Sequence, residues 1–400
     1  MSNRSQLLTR SFDHISSAPA VSAAPGVRLP NEPYSGRLAS LDAFRGLAVA
    51  GMILVNNPGA WTDVYGPLRH AAWNGCTAAD LIFPFFLFTV GAAVTVSVGR
   101  RVTHGAARRR LVVQIVRRAA LIFGLGLFLN GFPLFDWSSL RIPGVLQRVA
   151  VCYGLVCLVV LTLPIRGQVV TAGALLLGYA VALLCVSVPG QARGFGGPET
   201  NLAAYVDRRL LEGHLLHADW DPEGVLSTLG ATATALLGAL AGHWLKSQHT
   251  PSRTVGGLLA GGTGAVLLGL ALNHWLPINK SLWTTSFALF TGGVALNAFA
   301  ICYWLIDDRG HRSWATPFLV YGTNAIVAYM LSSLMAKTML LWPVTQADGS
   351  RVSLQQYLFE HFFLPLARPI DASLLYALAY VLLWLGIAGL LYRQRVLIKI

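Results

Sequence analysis

Ten stretches of roughly 20 mostly apolar residues follow one another along this chain of 400 residues. A stretch of that length, folded as a helix, crosses the hydrocarbon core of a bilayer. Charged residues make up 12% of the sequence, against about 25% in soluble globular domains. We therefore expect an all-α, polytopic helical bundle. The predicted transmembrane spans cover residues 40–58, 79–99, 113–131, 143–163, 168–188, 225–245, 255–275, 283–305, 316–341 and 371–392.

Basic residues set the expected orientation of these spans. They concentrate in segments that ten spans place on one side of the membrane, namely the amino-terminal tail, 100–118, 246–253, 309–312 and the residues after 392. The opposite side carries the acid-rich segment 190–224. Because cytoplasmic loops are enriched in Lys and Arg, both termini are predicted to be cytoplasmic. The net charge of +13 reflects this topology and an affinity for anionic membrane lipid, and nothing indicates nucleic-acid binding.

The membrane domain is predicted to cover residues 37–400. The first 36 residues are rich in Ser, Ala and Pro without apolar periodicity, which is typical of a disordered tail, here cytoplasmic. The amphipathic segment 353–366 is predicted to lie at the membrane surface. The cysteines have no metal-ligand spacing, so we expect no metal. Gly257 and Gly261 favour close helix packing and permit, without requiring, a homodimer interface.

A short polar connection between the first two spans, residues 67–75, carries His70 on the predicted outer side. Polar side chains at the membrane edge are costly and often mark a functional site. A neutral imidazole can act as a general base near neutral pH. The alternative is an interfacial histidine beside Trp73, itself an aromatic anchor. Asp80 has a structural explanation, because Thr77 and Asp80 form a helix-capping pattern.

Other polar residues lie in or beside the spans. Asp42 and Arg45 share one helical face, and an ion pair that fixes the first span is the interpretation we favour. Further candidates lie where spans begin or end on the predicted outer side: Asn56, Asn74, Gln147, Arg148, Asn279 and Lys280. A turn or cap explains Asn74 equally well, and a paired intramembrane charge is the simpler explanation of Arg148 and Lys280.

Several of these segments together resemble the heparan-α-glucosaminide N-acetyltransferase family. The matching segments are residues 40–46 (SLDAFRG), 70–75 (HAAWNG), 141–148 (RIPGVLQR), 221–224 (DPEG), 279–283 (NKSLW), 316–318 (TPF) and 322–324 (GTN). They occur in the family's order within residues 37–340. Lysosomal members carry an additional amino-terminal lumenal domain, so the resemblance points to a bacterial branch in the inner (cytoplasmic) membrane.

The resemblance implies a transmembrane acetyltransferase. Acetyl-CoA would donate its acetyl group from the cytoplasm to the amine of a glucosamine-type sugar or oligosaccharide on the periplasmic side. The family's catalytic histidine corresponds to His70, and its companion asparagine corresponds to Asn56. His70 would deprotonate the amine directly, the route we favour, or carry the acetyl group first. The amides of Asn56 and Asn74 could stabilise the oxyanion.

The donor's phosphates have candidate partners in Arg117 and Arg118, and in Lys280 or Arg148. Retention of positive charge on the cytoplasmic side explains the arginine-rich loop without a ligand. Trp73, Gln147, Asn279 and Asn324 complete the set of candidate binding residues.

Two other functions use the same polar residues. A secondary transporter for an amino sugar such as N-acetylglucosamine would couple His70 or paired carboxylates to protons, but no pair of interrupted spans in matching halves is visible. A scaffold subunit without a ligand leaves the outer polar cluster unexplained.

Overall fold

Thirteen α-helices make up most of the chain in the computed structural model, which describes residues 38–103, 108–190, 195–247 and 249–398. The first seven are α1 Ala39–Asn56, α2 Ala78–Thr103, α3 Arg108–Gly131, α4 Val145–Thr162, α5 Ile165–Cys185, α6 Leu202–Leu211 and α7 Thr228–Lys246. The others are α8 Pro251–Leu272, α9 Thr285–Tyr303, α10 Thr316–Thr323, α11 Ala325–Leu341, α12 Leu354–Leu358 and α13 Pro369–Arg393. The predicted disordered tail, residues 1–36, lies outside the described residues.

Short elements join these helices. A two-stranded antiparallel hairpin, β1 Pro343–Thr345 and β2 Arg351–Ser353, was not predicted from the sequence. π-Helical turns cover Trp304–Asp308 and Phe359–Phe363, and 3₁₀ turns cover Gly66–Leu68, Ser313–Ala315 and Leu364–Leu366. The predicted surface segment 353–366 thus consists of short helical turns rather than one amphipathic helix.

The helices confirm an all-α polytopic membrane protein. Among the described residues, α1 to α5, α8, α9 and α13 are long and apolar enough to cross a membrane, and the bent pair α10 and α11 would make a ninth span. The remaining predicted span, 225–245, corresponds to α7, which is buried along most of its length. Its many Ala, Gly and Thr residues make α7 less apolar than its neighbours, and they suit a helix that packs against protein rather than lipid.

Small residues bring α2 and α7 into backbone contact. A Cβ atom added at Gly91 would lie 1.7 Å from the carbonyl oxygen of Ala235, and one added at Gly238 would lie 2.0 Å from that of Phe88. Thr95 Oγ1 donates a hydrogen bond of 2.9 Å to the Ala239 carbonyl across the same interface. The α2–α7 contact therefore fixes the middle of α2, from Phe88 to Thr95, against α7.

The ninth predicted span is not one continuous helix, which corrects the sequence prediction. α10 and α11 meet at Asn324 and are bent by 74°. Asn324 has non-helical backbone angles (φ −125°, ψ 41°). Its amide binds the chain beyond α13, donating to the Val396 carbonyl at 2.9 Å and accepting from Ile398 N–H at 3.0 Å. Two residues more than 70 positions away therefore satisfy the side-chain amide of Asn324.

The connections of alternate helices meet at one end of the bundle. There α1, α3, α5, α8 and α11 finish, and α2, α4, α7, α9 and α13 begin. Backbone hydrogen bonds join these connections, including Gly75 N–H to the Ile278 carbonyl at 2.7 Å and Ile142 N–H to the His214 carbonyl at 3.0 Å. We call this the His70 end, because His70 lies in the connection from α1 to α2.

The contact between α1 and α10 yields a test of the fold. A Cβ atom at Gly46 would lie 1.8 Å from the Phe318 carbonyl oxygen. Gly46→Ala should therefore force the two helices apart and destabilise the protein by about 3 kcal/mol or more, at the upper end of overpacking costs. The measurement is the melting temperature of purified protein in detergent.

Gly386→Ala in α13 is the matched control, since its added Cβ meets no atom within 4 Å. A Gly46→Ala variant as stable as Gly386→Ala would contradict the described packing of α1 against α10.

Candidate functional site

His70 is held by a buried carboxylate in the first turn of α2. Its Nδ1 lies 2.8 Å from Asp80 Oδ1, and its side chain is 38% exposed while that of Asp80 is 1% exposed. The other carboxylate oxygen of Asp80 accepts the backbone N–H groups of Ala71 and Thr77 at 3.1 and 3.0 Å. The predicted capping contact between Thr77 and Asp80 is confirmed, and the link from Asp80 to His70 was missed by sequence reasoning.

Lys280 completes this cluster from the connection between α8 and α9. Its Nζ lies 3.3 Å from Asp80 Oδ1 and 3.0 Å from His70 Nδ1. Because an ionised carboxylate only accepts hydrogen bonds, the Nδ1 hydrogen of the ring points to Asp80. Lys280 then meets Asp80 as an ion pair. In the neutral ring this arrangement leaves Nε2 unprotonated, with the donor Lys280 Nζ 3.4 Å away.

Asn279 ties the Lys280 connection to the His70 loop. The Asn279 side chain is fully buried. Its Nδ2 donates to the Trp73 carbonyl at 2.9 Å and to Asn74 Oδ1 at 3.1 Å, and its Oδ1 accepts Leu282 N–H at 2.9 Å. Every polar atom of the Asn279 amide thus has a partner. Asn74 Oδ1 is thus engaged in a contact between the two connections.

Trp283 separates this cluster from the buried start of α4. Its backbone has a positive φ of 49°, a conformation that costs energy for a residue with a bulky side chain. The indole packs edge-on against Phe83 at 5.3 Å and lies under the Arg148 guanidinium at 5.2 Å. Its Nε1 donates to Thr234 Oγ1 at 3.0 Å. Trp283 therefore joins α2, α4, α7 and α9 below His70.

Arg148 and Gln147 are buried and only partly satisfied. Arg148 Nη2 donates to the Gly224 carbonyl at 3.2 Å and to the Ser227 hydroxyl. Arg148 Nε, Arg148 Nη1 and Gln147 Nε2 are buried without a hydrogen-bond partner. Sequence analysis predicted that both residues lie near the membrane edge, and the structure adds that neither contacts His70 through a described hydrogen bond or ion pair.

A second buried carboxylate, Asp207 of α6, lies beside Gly224. A Cβ atom at Gly224 would lie 1.8 Å from Asp207 Oδ2, and Asp207 Oδ1 accepts Val225 N–H at 2.8 Å. The pKa of Asp207 is raised to about 6, chiefly by burial and also by the charge of Asp221, against the opposing effect of the Val225 hydrogen bond. Sequence reasoning gave Asp207 no role, because a helix in the segment 190–224 was not predicted.

The structure places the remaining predicted site residues apart from His70. Asn56 is the last residue of α1 and is exposed, with no described hydrogen bond to the His70 cluster. Asp42 and Arg45 form an ion pair of 3.0 Å at the opposite end of α1. Asn324 binds the chain after α13, as described above. Arg117 and Arg118 are exposed on α3, with Arg118 5.0 Å above the ring of Tyr153.

Cys76 stands next to the cluster but is a poor nucleophile. Burial, followed by the nearby charge of Asp80, raises the pKa of its thiol to about 12. The reactive form of a cysteine is the thiolate, and this form is scarce at neutral pH for such a thiol. Among the described residues, no group of three or more His, Cys, Asp and Glu side chains is arranged to hold a metal ion.

Comparisons with known proteins agree with the resemblance seen in the sequence motifs. Residues 37–190 match the family model described as heparan-alpha-glucosaminide N-acetyltransferase, catalytic. Two similar curated proteins are the heparan-alpha-glucosaminide N-acetyltransferases of Homo sapiens, 28% identical over 358 residues, and of Mus musculus, 29% identical over 360 residues. Each alignment covers 74% of this chain, and 52% and 53% of the two relatives respectively. The chain thus spans about half the length of these relatives.

The raised pKa of Asp207 predicts how stability depends on pH. In the unfolded chain this carboxyl ionises near its ordinary pKa of 3.8, and in the folded protein near 6. The folded protein therefore binds more protons between these values, and its stability should fall as pH rises through that window. The loss is about 3 kcal/mol, at about 1.4 kcal/mol per pKa unit. Asp207→Asn should remove this loss, as measured by melting temperatures between pH 4 and 7.5.

Glu212→Gln is the control, because Glu212 is a carboxylate in the same segment, and it should keep the wild-type pH dependence. Identical pH dependence in wild type and Asp207→Asn would show that Asp207 does not ionise in this window.

Proposed function

Because the chain belongs to the heparan-α-glucosaminide N-acetyltransferase family, we propose that it is a transmembrane acetyltransferase of a bacterial inner membrane. Acetyl-CoA on the cytoplasmic side is the donor, and the amine of a glucosamine-type sugar on the periplasmic side is the acceptor. His70 is the general base of the reaction. Its ordered, half-exposed ring beside a buried carboxylate and an ammonium group is the observation that carries the proposal.

The reaction needs a base that can reach the acceptor. The ammonium form of a sugar amine has no lone pair for attack, so a proton must leave before the C–N bond forms. His70 Nε2 accepts this proton. The amine nitrogen attacks the thioester carbonyl carbon, the C–S bond breaks, and the CoA thiolate leaves and is protonated. The nitrogen loses a second proton as the amide forms, and this proton is the one the thiolate takes up. The proton held by His70 passes to solvent, so the products are the amide, free CoA and one released proton.

Asp80 supports direct proton transfer to the ring. When Nε2 takes a proton, the imidazole becomes a cation, and the Asp80 carboxylate 2.8 Å from Nδ1 stabilises that charge. Carboxylates that orient a catalytic histidine act in this way. The same geometry accommodates transient acetylation of Nε2, and direct attack by the amine remains the route we propose, because it requires no covalent intermediate.

Of the options that the sequence left for Lys280, phosphate binding or a paired charge, we propose a role built on the paired charge. Its partner is the Asp80 carboxylate, and its Nζ lies 3.4 Å from His70 Nε2. A positive charge at this position is close to where the thioester oxygen gains negative charge during attack. Such charge stabilisation is a large contribution in acyl transfer. We propose that Lys280, more than Asn56 or Asn74, stabilises the oxyanion.

The donor is proposed from the relatives, whose name specifies N-acetyl transfer. Arg117 and Arg118 retain a proposed role in binding its phosphates. Both are exposed on α3, and other residues of α3 line an apolar groove of about 470 Å³ against α4, including Val116 and Ala119.

The transporter alternative receives little support from the helices. One broken span, α10 and α11, occurs among the described residues, whereas transporters built from inverted repeats have interrupted helices in two matching halves. The amide at this break binds the chain's own carboxyl-terminal segment.

Replacing His70 tests the proposed base. Purified protein should release free CoA from acetyl-CoA when glucosamine is added. His70→Ala should lower this rate at least about 100-fold, the lower range for loss of a general base, in protein that remains folded. CoA release is measured with a thiol reagent, and the acetylated sugar by mass spectrometry.

His361→Ala is the matched control, because His361 is exposed near the start of α13 at the same end of the bundle. It should react at the wild-type rate. A folded His70→Ala protein with undiminished CoA release would reject His70 as the base.

A further inference from the structure

Three aromatic rings cluster beside the His70 loop and have no role in the proposed chemistry. Trp73 lies three residues after His70, and Trp220 and His217 lie between α6 and α7. The rings of Trp73 and Trp220 meet edge to face with centroids 5.5 Å apart. His217 stacks on Trp220 at 4.4 Å with an interplanar angle of 18°. Both tryptophans are half-buried and His217 is exposed.

Polar contacts hold these rings in place. Asn279 binds the Trp73 carbonyl, and His217 N–H donates to the Trp220 carbonyl at 3.2 Å. The next residue, Asp221, accepts two hydrogen bonds from Arg141, at 2.8 and 2.7 Å, so the segment that carries Trp220 is fastened to the chain before α4. The rings therefore form a preorganised surface, which lowers the cost of binding a ligand.

The cluster is neither part of the core nor a simple membrane anchor. Neither tryptophan belongs to the hydrophobic clusters of the described residues. Three other tryptophans at this end are far more exposed, namely Trp61 at 62%, Trp137 at 72% and Trp275 at 66%. Trp73 and Trp220 are instead turned toward each other, next to the loop that carries the candidate base.

The chemistry of the cluster fits a sugar ring. A pyranose has an apolar C–H face that packs on an aromatic ring and a polar rim of hydroxyl groups, and Trp combines a large apolar surface with a polar edge. Carboxylates lie nearby in sequence, at Asp219 next to Trp220 and at Glu212.

We propose that Trp73, Trp220 and His217 form a carbohydrate subsite that binds the sugar unit adjoining the one acetylated at His70. The preferred acceptor is then an oligosaccharide of amino sugars rather than a single glucosamine. The role of this subsite in acetylation rests on the proposed function, whereas its ability to bind carbohydrate does not.

Binding without any acyl donor tests the subsite independently of catalysis. The probe is a β-1,4-linked trisaccharide of N-acetylglucosamine, which has no free amine to acetylate, compared with the monosaccharide. Wild-type protein should bind the trisaccharide at least about tenfold more tightly, measured by calorimetry in detergent. Trp220→Ala should lose most of this difference, and Trp220→Phe should keep part of it, because an aromatic face remains.

Trp137→Ala, which removes a highly exposed tryptophan at the same end, is the matched control and should bind the trisaccharide as wild type does. If acetylation is measurable, Trp220→Ala should also lower kcat/KM for a deacetylated trisaccharide about tenfold relative to glucosamine. Equal affinity of wild type for trisaccharide and monosaccharide would overturn the subsite, as would a folded Trp220→Ala that binds the trisaccharide normally. Trp220-dependent binding without any acetyl transfer would reject the proposed function and leave the subsite standing.

Discussion

The arrangement of the His70 end depends on the contacts of one buried carboxylate, that of Asp80. A buried charge is tolerated only when charged or hydrogen-bonding partners compensate for lost hydration. Asp80 obtains these partners from three places: the ring of His70, the backbone of the loop that carries it, and the ammonium group of Lys280. Because Asp80 lies in the first turn of α2, the positive end of the helix dipole favours its charge as well.

The Asp80 carboxylate can hold His70 and Lys280 in place because the helices that carry these groups are themselves tightly packed. The middle of α2 is fixed by backbone contact with α7 through Gly91 and Gly238. Trp283, held in a strained backbone conformation, packs between Phe83 and Arg148 and carries Lys280 to the cluster. Charged and polar groups on connections can therefore keep distances near 3 Å, although the connections themselves are short and partly exposed.

The sequence predicted the class of fold well because bilayer thickness dictates the length of a span, and α1, α2 and most other helices follow that length. The position of His70 at a predicted membrane edge made it a candidate, and the resemblance to the acetyltransferase family favoured it over an interfacial histidine. Its partner Lys280 lies 210 residues away, and only tertiary packing brings it to the ring. A helix-capping role was enough to explain Asp80 from the sequence. A local pattern cannot show that the same carboxylate also contacts His70.

Other features could not be inferred for similar reasons. The break at Asn324 depends on a chain segment beyond α13, whereas the surrounding residues are apolar enough for a straight helix. α7 was predicted as an ordinary span, and its burial among other helices explains its small residues. Asn56 is exposed because it is the last residue of α1. Its lack of a hydrogen bond to the His70 cluster depends on how the chain turns after that helix.

The tautomer of His70 tests the account most directly. Nitrogen-15 NMR of histidine-labelled protein, with the signal assigned through a His70→Gln variant, distinguishes the two nitrogens of the neutral ring. The account predicts a hydrogen on Nδ1 and a bare Nε2 in wild type, with that preference weakened in Asp80→Asn. A neutral ring that carries its hydrogen on Nε2 would contradict it, because no lone pair would then face the acceptor.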